Sequence, residues 1–263
     1  MQDLTTGGSS SARMHIGVSF KMYLDRSQTR TWCAAAAEVA RRYPAIAAGD
    51  VSLVIFPTLP AMDASMAAAD GAPVVFGAQD LFWEDRGAYT GAISGADIAD
   101  MGARYAEIGH AERRAFFGED DALVAKKVTA AARNGLTPWL CIGEPEKGDV
   151  GTAAAFCIEQ LAASLAELDA ATDLVVAYEP VWAIGQAEPA SAEHVAGVAR
   201  ALKAWLADCP TAGVAPVVYG GSAGPGTLTD IGASIDGLFL GRFAHDIAAF
   251  ERIIDEAAGL IAG

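Results

Sequence analysis

The sequence predicts a single (β/α)₈ barrel, and three observations support that prediction. Short apolar runs alternate with alanine-rich helical stretches along the whole chain. Eight runs can be counted, each followed by a helical stretch, in a chain of 263 residues. Each run is mostly apolar, which is typical of strands that are buried on both faces. A doubly wound sheet is the alternative, and its dinucleotide-binding form is weakened because no G-x-G-x-x-G follows the first run.

The eight strand candidates follow one another at regular intervals. The first four are HIGVSF from His15, VSLVIF from Val51, PVVFGAQ from Pro73 and ARYAEIG from Ala103. The second four are LTPWLCIG from Leu136, LVVAYE from Leu174, VAPVVYG from Val214 and DGLFLG from Asp236. No linker divides the series, so we expect one catalytic domain over residues 14–263, preceded by a flexible tail over residues 1–13.

The helical stretches carry recognisable start and stop signals. SQTRTWCAAAAEVARR predicts a helix with Ser27 as its N-cap, and EDDALVAKKVTAAARNG ends in Asn134-Gly135, a good helix stop. TAAAFCIEQLAASLAEL and SAEHVAGVARALKAWLAD are amphipathic in the same way. Shorter helices are predicted around Ala61, Ala96 and Thr227, and a last one from about Asp246.

The composition and the net charge limit the classes of partner that the protein is expected to bind. Hydrophobic residues make up 52% of the chain and charged residues 19%, as in globular proteins. The net charge of −15 repels nucleic acid and anionic membranes, so neither is expected as a partner. An anionic small molecule would need a local positive site.

The cysteines and the N-terminal residues predict a cytoplasmic location. The four cysteines are widely spaced without a C-x-x-C pair, which favours free thiols in a reducing compartment. The segment MQDLTTGGSSSAR has no apolar core of a secretory signal, and no apolar run reaches the ~18 residues of a membrane span. The scattered histidines indicate no metal site, and we expect no cofactor.

Chemistry in such a barrel is expected at the carboxyl ends of the strands. Lys21 follows the first strand, His110 and Glu112 follow the fourth in EIGHAERR, and Glu179 follows the sixth in AYEPVWAIG. A lysine can stabilise an anion, an imidazole can donate to a carbonyl or move a proton, and a carboxylate can act as general base. A lone lysine or glutamate is usually a solvated surface residue, and a lone histidine is more often structural. The joint placement of these residues at the ends of different strands favours a site.

Two glycine-rich turns follow the last two strands, where barrels often bind phosphate. They contain Gly220 and Gly221 in YGGSAG, and Gly241 and Arg242 in LGRFAHD. Together with the charged set, they indicate an enolising proton transfer on a phosphorylated sugar. His15, His194 and His245 lack such support and are interpreted as structural.

Ser222 has a second interpretation. GGSAG fits the G-x-S-x-G pattern of a hydrolase nucleophile, with Asp236 and His245 as formal partners. Asp236 opens a strand, however, which would put it at the far end of the barrel from the site. A non-catalytic barrel that binds a sugar phosphate is a further alternative, although binding alone does not need a base.

Six motifs together resemble the triosephosphate isomerase family from about Ile16 to Ile261. They are FKM, IGHAERRAFFGE, CIGE, AYEPVWAIG, YGGS and DGLFLG. The resemblance implies that Lys21 is an electrostatic clamp, His110 a neutral electrophile and Glu179 the base that moves a proton between adjacent carbons. It also implies that Glu112 and Cys141 support these residues from behind.

The resemblance further implies a phosphate cradle, a lid and a homodimer. The phosphate would be held largely by backbone N–H groups of Gly185, Gly220, Gly221, Ser222, Gly241 and Arg242. The lid would begin with Pro180, Val181, Trp182, Ala183 and Ile184. GAYTGAIS resembles the loop that inserts Thr90 into a partner subunit.

Several positions depart from the family pattern. Ser19 stands where Asn is usual, Ala111 replaces a Ser, and Arg242 and Ala92 replace a Gly and a Glu. The second half of the lid, residues 186–190, also differs from the usual T-G-K-T-A.

These departures resemble a branch of the family that isomerises four-carbon ketose phosphates. That branch interconverts L-erythrulose 1-phosphate and D-erythrulose 4-phosphate in erythritol and related tetritol catabolism. Ser19, which has two heavy atoms fewer than the usual Asn, would then make room for the larger substrate in the wall of the substrate-binding pocket. Isomerisation of the three-carbon substrate in glycolysis stays open as the alternative.

Overall fold

Eight parallel strands form one closed barrel in the computed structural model, which describes residues 12–185 and 189–262. The strands follow chain order, and β1 also pairs with β8 to complete the ring. The predicted (β/α)₈ fold is therefore confirmed. The strands are β1 (Met14–Ser19), β2 (Val51–Phe56), β3 (Val75–Ala78), β4 (Tyr105–Ile108), β5 (Thr137–Ile142), β6 (Val175–Tyr178), β7 (Val217–Tyr219) and β8 (Gly237–Leu240).

Helices lie between consecutive strands and after β8. Over the described residues they are α1 (Arg26–Arg42), α2 (Pro44–Ala47), α3 (Met62–Ala69), α4 (Gly95–Asp100), α5 (Ala111–Phe117), α6 (Asp121–Arg133), α7 (Val150–Ser164), α8 (Ala192–Ala207), α9 (Thr227–Ile231) and α10 (Ile247–Ala262). No helix within residues 12–185 and 189–262 is long and apolar enough to cross a membrane. Most of the predicted flexible tail, residues 1–11, falls outside the described residues.

The prediction that Ser27 caps the first helix is wrong. The N-cap is Asp25, whose side chain accepts a hydrogen bond from the backbone N–H of Gln28 at 2.8 Å. The Gln28 side chain in turn accepts from the backbone N–H of Asp25 at 3.0 Å. This reciprocal capping box satisfies two N–H groups that have no partner within the helix, so the helix starts earlier than the serine indicated.

Aromatic side chains fill the interior of the barrel. The Trp139 ring from β5 lies 5.3 Å from the Phe56 ring, 5.8 Å from Tyr105 and 5.2 Å from Phe239, measured between centroids. A Cβ on Gly17 would lie 2.6 Å from the Trp139 ring, so a glycine is needed there. The packed interior leaves the carboxyl ends of the strands as the place for a cavity.

Candidate active site

A cavity of about 230 Å³ opens at the carboxyl ends of the strands. It is formed by residues at or after the ends of β1, β4, β6, β7 and β8. The structure thus brings together residues that the sequence separates by more than 200 positions. The predicted site residues that line it are Ser19, Lys21, His110, Glu112, Glu179, Ile184, Gly185, Gly220, Gly221, Ser222, Gly241 and Arg242.

Lys21 has an unusual backbone. Its φ of +48° lies in the left-handed region, which costs a non-glycine residue free energy. The side chain of Gln79 donates hydrogen bonds to the carbonyl oxygens of Lys21 and Phe56, at 3.0 and 2.9 Å, and so supports this turn. The Lys21 Nζ donates to Glu112 Oε1 at 2.7 Å. The ammonium group is therefore held at the cavity instead of extending into solvent.

The pKa of Lys21 is set by opposing effects. Burial on its own lowers it, but the hydrogen bond to Glu112 and the charges of Glu179, Glu112 and Glu107 raise it overall. Lys21 therefore carries a full positive charge at neutral pH. This charge is the local positive site that an anionic ligand needs in a chain with a net charge of −15.

His110 is the N-cap of α5, and that position determines its tautomer. The backbone N–H of Glu112 donates to His110 Nδ1 at 3.1 Å, so Nδ1 is an acceptor and Nε2 carries the proton of the neutral ring. Burial, together with the charge of Lys21, lowers the pKa of His110 to about 4. The ring is therefore neutral at physiological pH and presents an N–H donor to the cavity.

Glu179 lies directly after β6 and is 3% exposed. Its Oε2 is 3.5 Å from His110 Nε2 and has no hydrogen-bond partner among the described residues. Burial raises the pKa of Glu179 well above its usual value, the charge of Lys21 opposes that rise, and Glu107 adds to it. A buried carboxyl group with a raised pKa is suited to accept a proton from carbon.

Gly220, directly after β7, leaves room for the Glu179 side chain because it has no side chain of its own. A Cβ on Gly220 would lie 2.6 Å from Glu179 Cγ and 2.7 Å from its Oε1, which no side chain could occupy without moving the carboxyl group. Taken together, an ammonium, a neutral N–H donor and a carboxyl group converge on one cavity. In this arrangement the carboxyl group can remove a proton from the carbon beside a carbonyl, and the ammonium and the N–H donor can stabilise the carbonyl oxygen as it becomes negatively charged.

The other end of the cavity is formed by the turns after β6, β7 and β8, which contribute Gly185, Ser222 and Gly241. The Arg242 guanidinium lies 5.7 Å from the centroid of the Tyr23 ring, so this exposed side chain reaches the loop after β1 at the cavity rim. Such glycine-rich turns can present backbone N–H groups to an anion.

Ser222 is not part of a hydrolase triad. Its hydroxyl donates to the carbonyl oxygen of Ala183 at 3.3 Å. Asp236 lies at the amino end of β8, where its side chain accepts from Lys203 Nζ at 2.6 Å and from the Val217 N–H at 2.8 Å. The interpretation of Ser222 as a nucleophile is therefore rejected, because its proposed acid lies at the opposite end of the barrel.

The predicted lid begins as a short 3₁₀ turn over Val181–Ala183, preceded by Pro180. Trp182 Nε1 donates to Glu144 Oε1 at 2.7 Å, and His194 Nε2 lies 3.2 Å from the same oxygen. His194, interpreted from sequence as structural, therefore shares an acceptor with a lid residue. The altered residues 186–188 lie outside the described residues.

Two further predicted residues lie outside the cavity. Cys141 is fully buried behind it, and burial, with the charges of Glu179 and Glu107, raises the pKa of its thiol well above the usual value. Thr90 lies in an exposed loop between β3 and α4. All four cysteines are free thiols, as predicted.

A family model described as triosephosphate isomerase matches residues 14–257. The chain belongs to the triosephosphate isomerase family. It is accordingly a sugar-phosphate isomerase, an intramolecular oxidoreductase, as the motifs predicted.

Individual relatives cover most of the chain. An L-erythrulose-1-phosphate isomerase of Pectobacterium atrosepticum is 49% identical over 94% of this chain and 97% of its own length. A triosephosphate isomerase of Moorella thermoacetica is 40% identical over 81% of this chain and 88% of its own length. A triosephosphate isomerase of Thermus thermophilus is 35% identical over 92% of this chain and 98% of its own length.

Sequence reasoning missed two residues around this cavity. Gln79, which supports the Lys21 turn, gave no signal because a polar residue after a strand is ordinary. Glu107 gave a signal that was overlooked, since a carboxylate inside the apolar run YAEI is unusual. It is 3% exposed, and the Ser19 hydroxyl donates to its Oε2 at 2.9 Å.

Proposed function

We propose that this protein interconverts L-erythrulose 1-phosphate and D-erythrulose 4-phosphate. The observation that carries the proposal is the 49% identity, over nearly both full lengths, to a protein named L-erythrulose-1-phosphate isomerase. Identity to the relatives named triosephosphate isomerase is 34–43% among those compared. The convergence of Lys21, His110 and Glu179 on one cavity supports an enolisation mechanism.

In the proposed reaction, Glu179 removes the proton from C3 of L-erythrulose 1-phosphate. The electrons of the broken C–H bond form the C2=C3 double bond, and the C2 carbonyl oxygen becomes an enediolate oxygen. Lys21 and the Nε2–H of His110 stabilise the charge on that oxygen. Glu179 then gives its proton to C2, and the proton of the C3 hydroxyl moves to the C2 oxygen. The C3 oxygen becomes the new carbonyl, which gives D-erythrulose 4-phosphate without any redox partner.

The neutral state of His110 matters for this step. A neutral imidazole is a weak acid, so it donates a hydrogen bond to the enediolate without trapping it by full protonation. The low pKa of His110 and the hydrogen bond that fixes its tautomer both support this role. Glu112 would position the pair, because its backbone N–H bonds His110 and its side chain bonds Lys21.

The phosphate would bind at the turns that contribute Gly185, Ser222 and Gly241 to the cavity. Backbone N–H groups there can bind phosphate without a desolvated side-chain charge. Arg242 at the rim supplies a further positive charge. Lid residues after Pro180 would then close over the bound substrate and exclude water.

The deciding experiment compares kcat/KM for L-erythrulose 1-phosphate and glyceraldehyde 3-phosphate on one preparation, with Glu179→Gln as the control. A preference of about tenfold or more for the four-carbon substrate, equal to about 1.4 kcal/mol, supports the proposal. The opposite preference would make the enzyme a triosephosphate isomerase. Binding of either phosphate without exchange of substrate hydrogen for solvent deuterium would indicate a non-catalytic barrel.

We also propose a cytoplasmic homodimer. Met22, Phe116 and Phe117 are 92%, 78% and 67% exposed; Met22 lies in the loop after β1, and the two phenylalanines lie in α5, which follows β4. Large apolar side chains that are exposed in one chain favour an interface with a second copy. Sedimentation velocity should give a dimer for the wild type and a smaller species for Thr90→Arg. A monomeric wild type would contradict the proposal.

A further inference from the structure

A buried carboxyl group that the proposed mechanism does not use lies beneath the cavity, bonded to Ser19 in the cavity wall. Glu107 lies on β4 and points into the barrel, at the same face as Tyr105. The interior residues around this level include Phe56, Trp139 and Phe239, which are apolar or aromatic. An acidic side chain in such a place costs free energy unless it is bonded or neutral, so its presence calls for a reason.

Among the described residues, Glu107 is hydrogen-bonded to a residue that lines the cavity. Ser19, at the end of β1, lines the cavity, and its hydroxyl donates to Glu107 Oε2 at 2.9 Å. Because the Ser19 hydrogen is used in this bond, its oxygen lone pairs are free to accept a hydrogen bond from a ligand. Glu107 thereby fixes the orientation of a cavity hydroxyl.

Glu107 is mostly neutral at the pH of the cell. Burial raises its pKa to about 8, while the Ser19 hydrogen bond and the charge of Lys21 oppose the rise. A protonated carboxyl group still accepts a hydrogen bond at its carbonyl oxygen. The Ser19 contact therefore does not require a buried negative charge.

The position of Glu107 in the barrel indicates which part of a substrate would reach this pair. In the closed ring of eight strands, β4 stands opposite β8. The turns after β7 and β8 form the phosphate end of the proposed site, and His110 and Glu179 mark the reacting carbons. A sugar held at the phosphate end extends across the barrel, so its carbon farthest from phosphate points toward β4. Ser19 ends β1, which neighbours β8, but its hydroxyl lies 2.9 Å from Glu107 of β4 and so can meet that carbon.

We infer that Glu107 is a positioning residue for substrate choice: it orients Ser19 to accept a hydrogen bond from the terminal hydroxymethyl group of a four-carbon ketose phosphate. The inference rests on the proposed function, because a three-carbon substrate has no such group beyond its reacting carbons. Ser19 is the residue that touches the substrate. The pair therefore favours the four-carbon substrate and adds little to the turnover of the three-carbon one.

The test measures kcat/KM for L-erythrulose 1-phosphate and for glyceraldehyde 3-phosphate in matched variants. Glu107→Leu should lower the ratio of the two values by about tenfold, the worth of one oriented hydrogen bond. Glu107→Gln should keep the ratio close to that of the wild type, because the amide oxygen also accepts from Ser19. The ratio of the two kcat/KM values is compared because a change in the charge near Glu179 would alter kcat/KM for both substrates by a similar factor.

Ser19→Ala should lower the ratio by the same factor as Glu107→Leu, and the double variant should lower it no further, because both changes remove one interaction. Thermal melts identify any variant that fails to fold. If Glu107→Leu does not fold, the comparison of Ser19→Ala with Glu107→Gln carries the test alone. A wild type that prefers the four-carbon substrate while Ser19→Ala leaves the ratio unchanged overturns the inference and keeps the proposed function. A wild type without four-carbon turnover overturns both.

Discussion

Substitution of Gly220 by alanine tests whether the position of Glu179 limits turnover. In Gly220→Ala the new Cβ would lie 2.6 Å from Glu179 Cγ, whereas carbon atoms in contact are ordinarily about 3.5–4.0 Å apart. Gly220 does not have a positive φ, so alanine introduces no backbone strain of its own. The backbone cannot easily retreat, because the Gly220 N–H donates to the Tyr178 carbonyl at 2.9 Å.

The carboxyl group must therefore shift by about 1 Å, and a misplacement of that size costs roughly a hundredfold in rate. This loss corresponds to about 2.7 kcal/mol of transition-state stabilisation. We expect the loss in kcat, with a smaller change in KM, since the backbone N–H groups of the phosphate turns are retained. Steady-state kinetics with the preferred substrate gives both values.

Gly224→Ala in the same loop is the matched control. Its Cβ would lie 3.7 Å from the nearest atom of the Phe243 ring, an ordinary contact, and Gly224 also lacks a positive φ. We expect kcat within about twofold of the wild type for this variant. A Gly220→Ala enzyme that folds and retains kcat within about threefold would refute the reasoning, because the site would then tolerate a displaced carboxyl group.

Four further predictions concern substrate binding, the protonation state of His110 and the free energy of unfolding. Ser222→Ala should raise KM by up to about tenfold with little change in kcat, because the backbone N–H stays but the turn loses the hydroxyl bond to the Ala183 carbonyl that holds it. A loss of kcat at constant KM would contradict the phosphate cradle. The ring nitrogens of His110, observed by NMR, should show no titration between pH 5.5 and 8, because its pKa is lowered to about 4; a midpoint near 6.5 would contradict this. Lys127→Met should lower the free energy of unfolding in urea by about 1.5–3 kcal/mol, because it removes one of the two cations that bond the buried Glu119 carboxylate and leaves only Arg113. A loss below about 0.5 kcal/mol would show that the bond to Lys127 is dispensable. Between pH 4.5 and 8, Glu107 binds more protons in the folded than in the unfolded state. The free energy of unfolding of the wild type should therefore fall relative to that of Glu107→Gln as pH rises through this range, by up to about 1.4 kcal/mol per pH unit. A difference between the two free energies that is constant with pH would contradict the raised pKa of Glu107.

The order of elements and the principal site residues were predictable because both are local properties of the sequence. Apolar runs such as VSLVIF identify strands, and in a parallel barrel every strand delivers the residue at its carboxyl end to the same face. Lys21, His110 and Glu179 could therefore be placed at one site without knowing any distance between them. The start of α1 was less predictable, because Asp25 and Ser27 are both good caps and only the reciprocal bond with Gln28 selects between them.

The sequence by itself determined the family, the barrel and the chemical types at the strand ends. Only the tertiary structure decided how those groups are held. Closure of the ring places Ser19 against Glu107, 88 positions away, and whether a strand residue points into the barrel depends on register. The left-handed turn at Lys21 and the proton position on His110 likewise depend on partners supplied by other segments or by a helix end. These features follow from packing and burial, which act between residues distant in the chain, and so no local pattern encodes them.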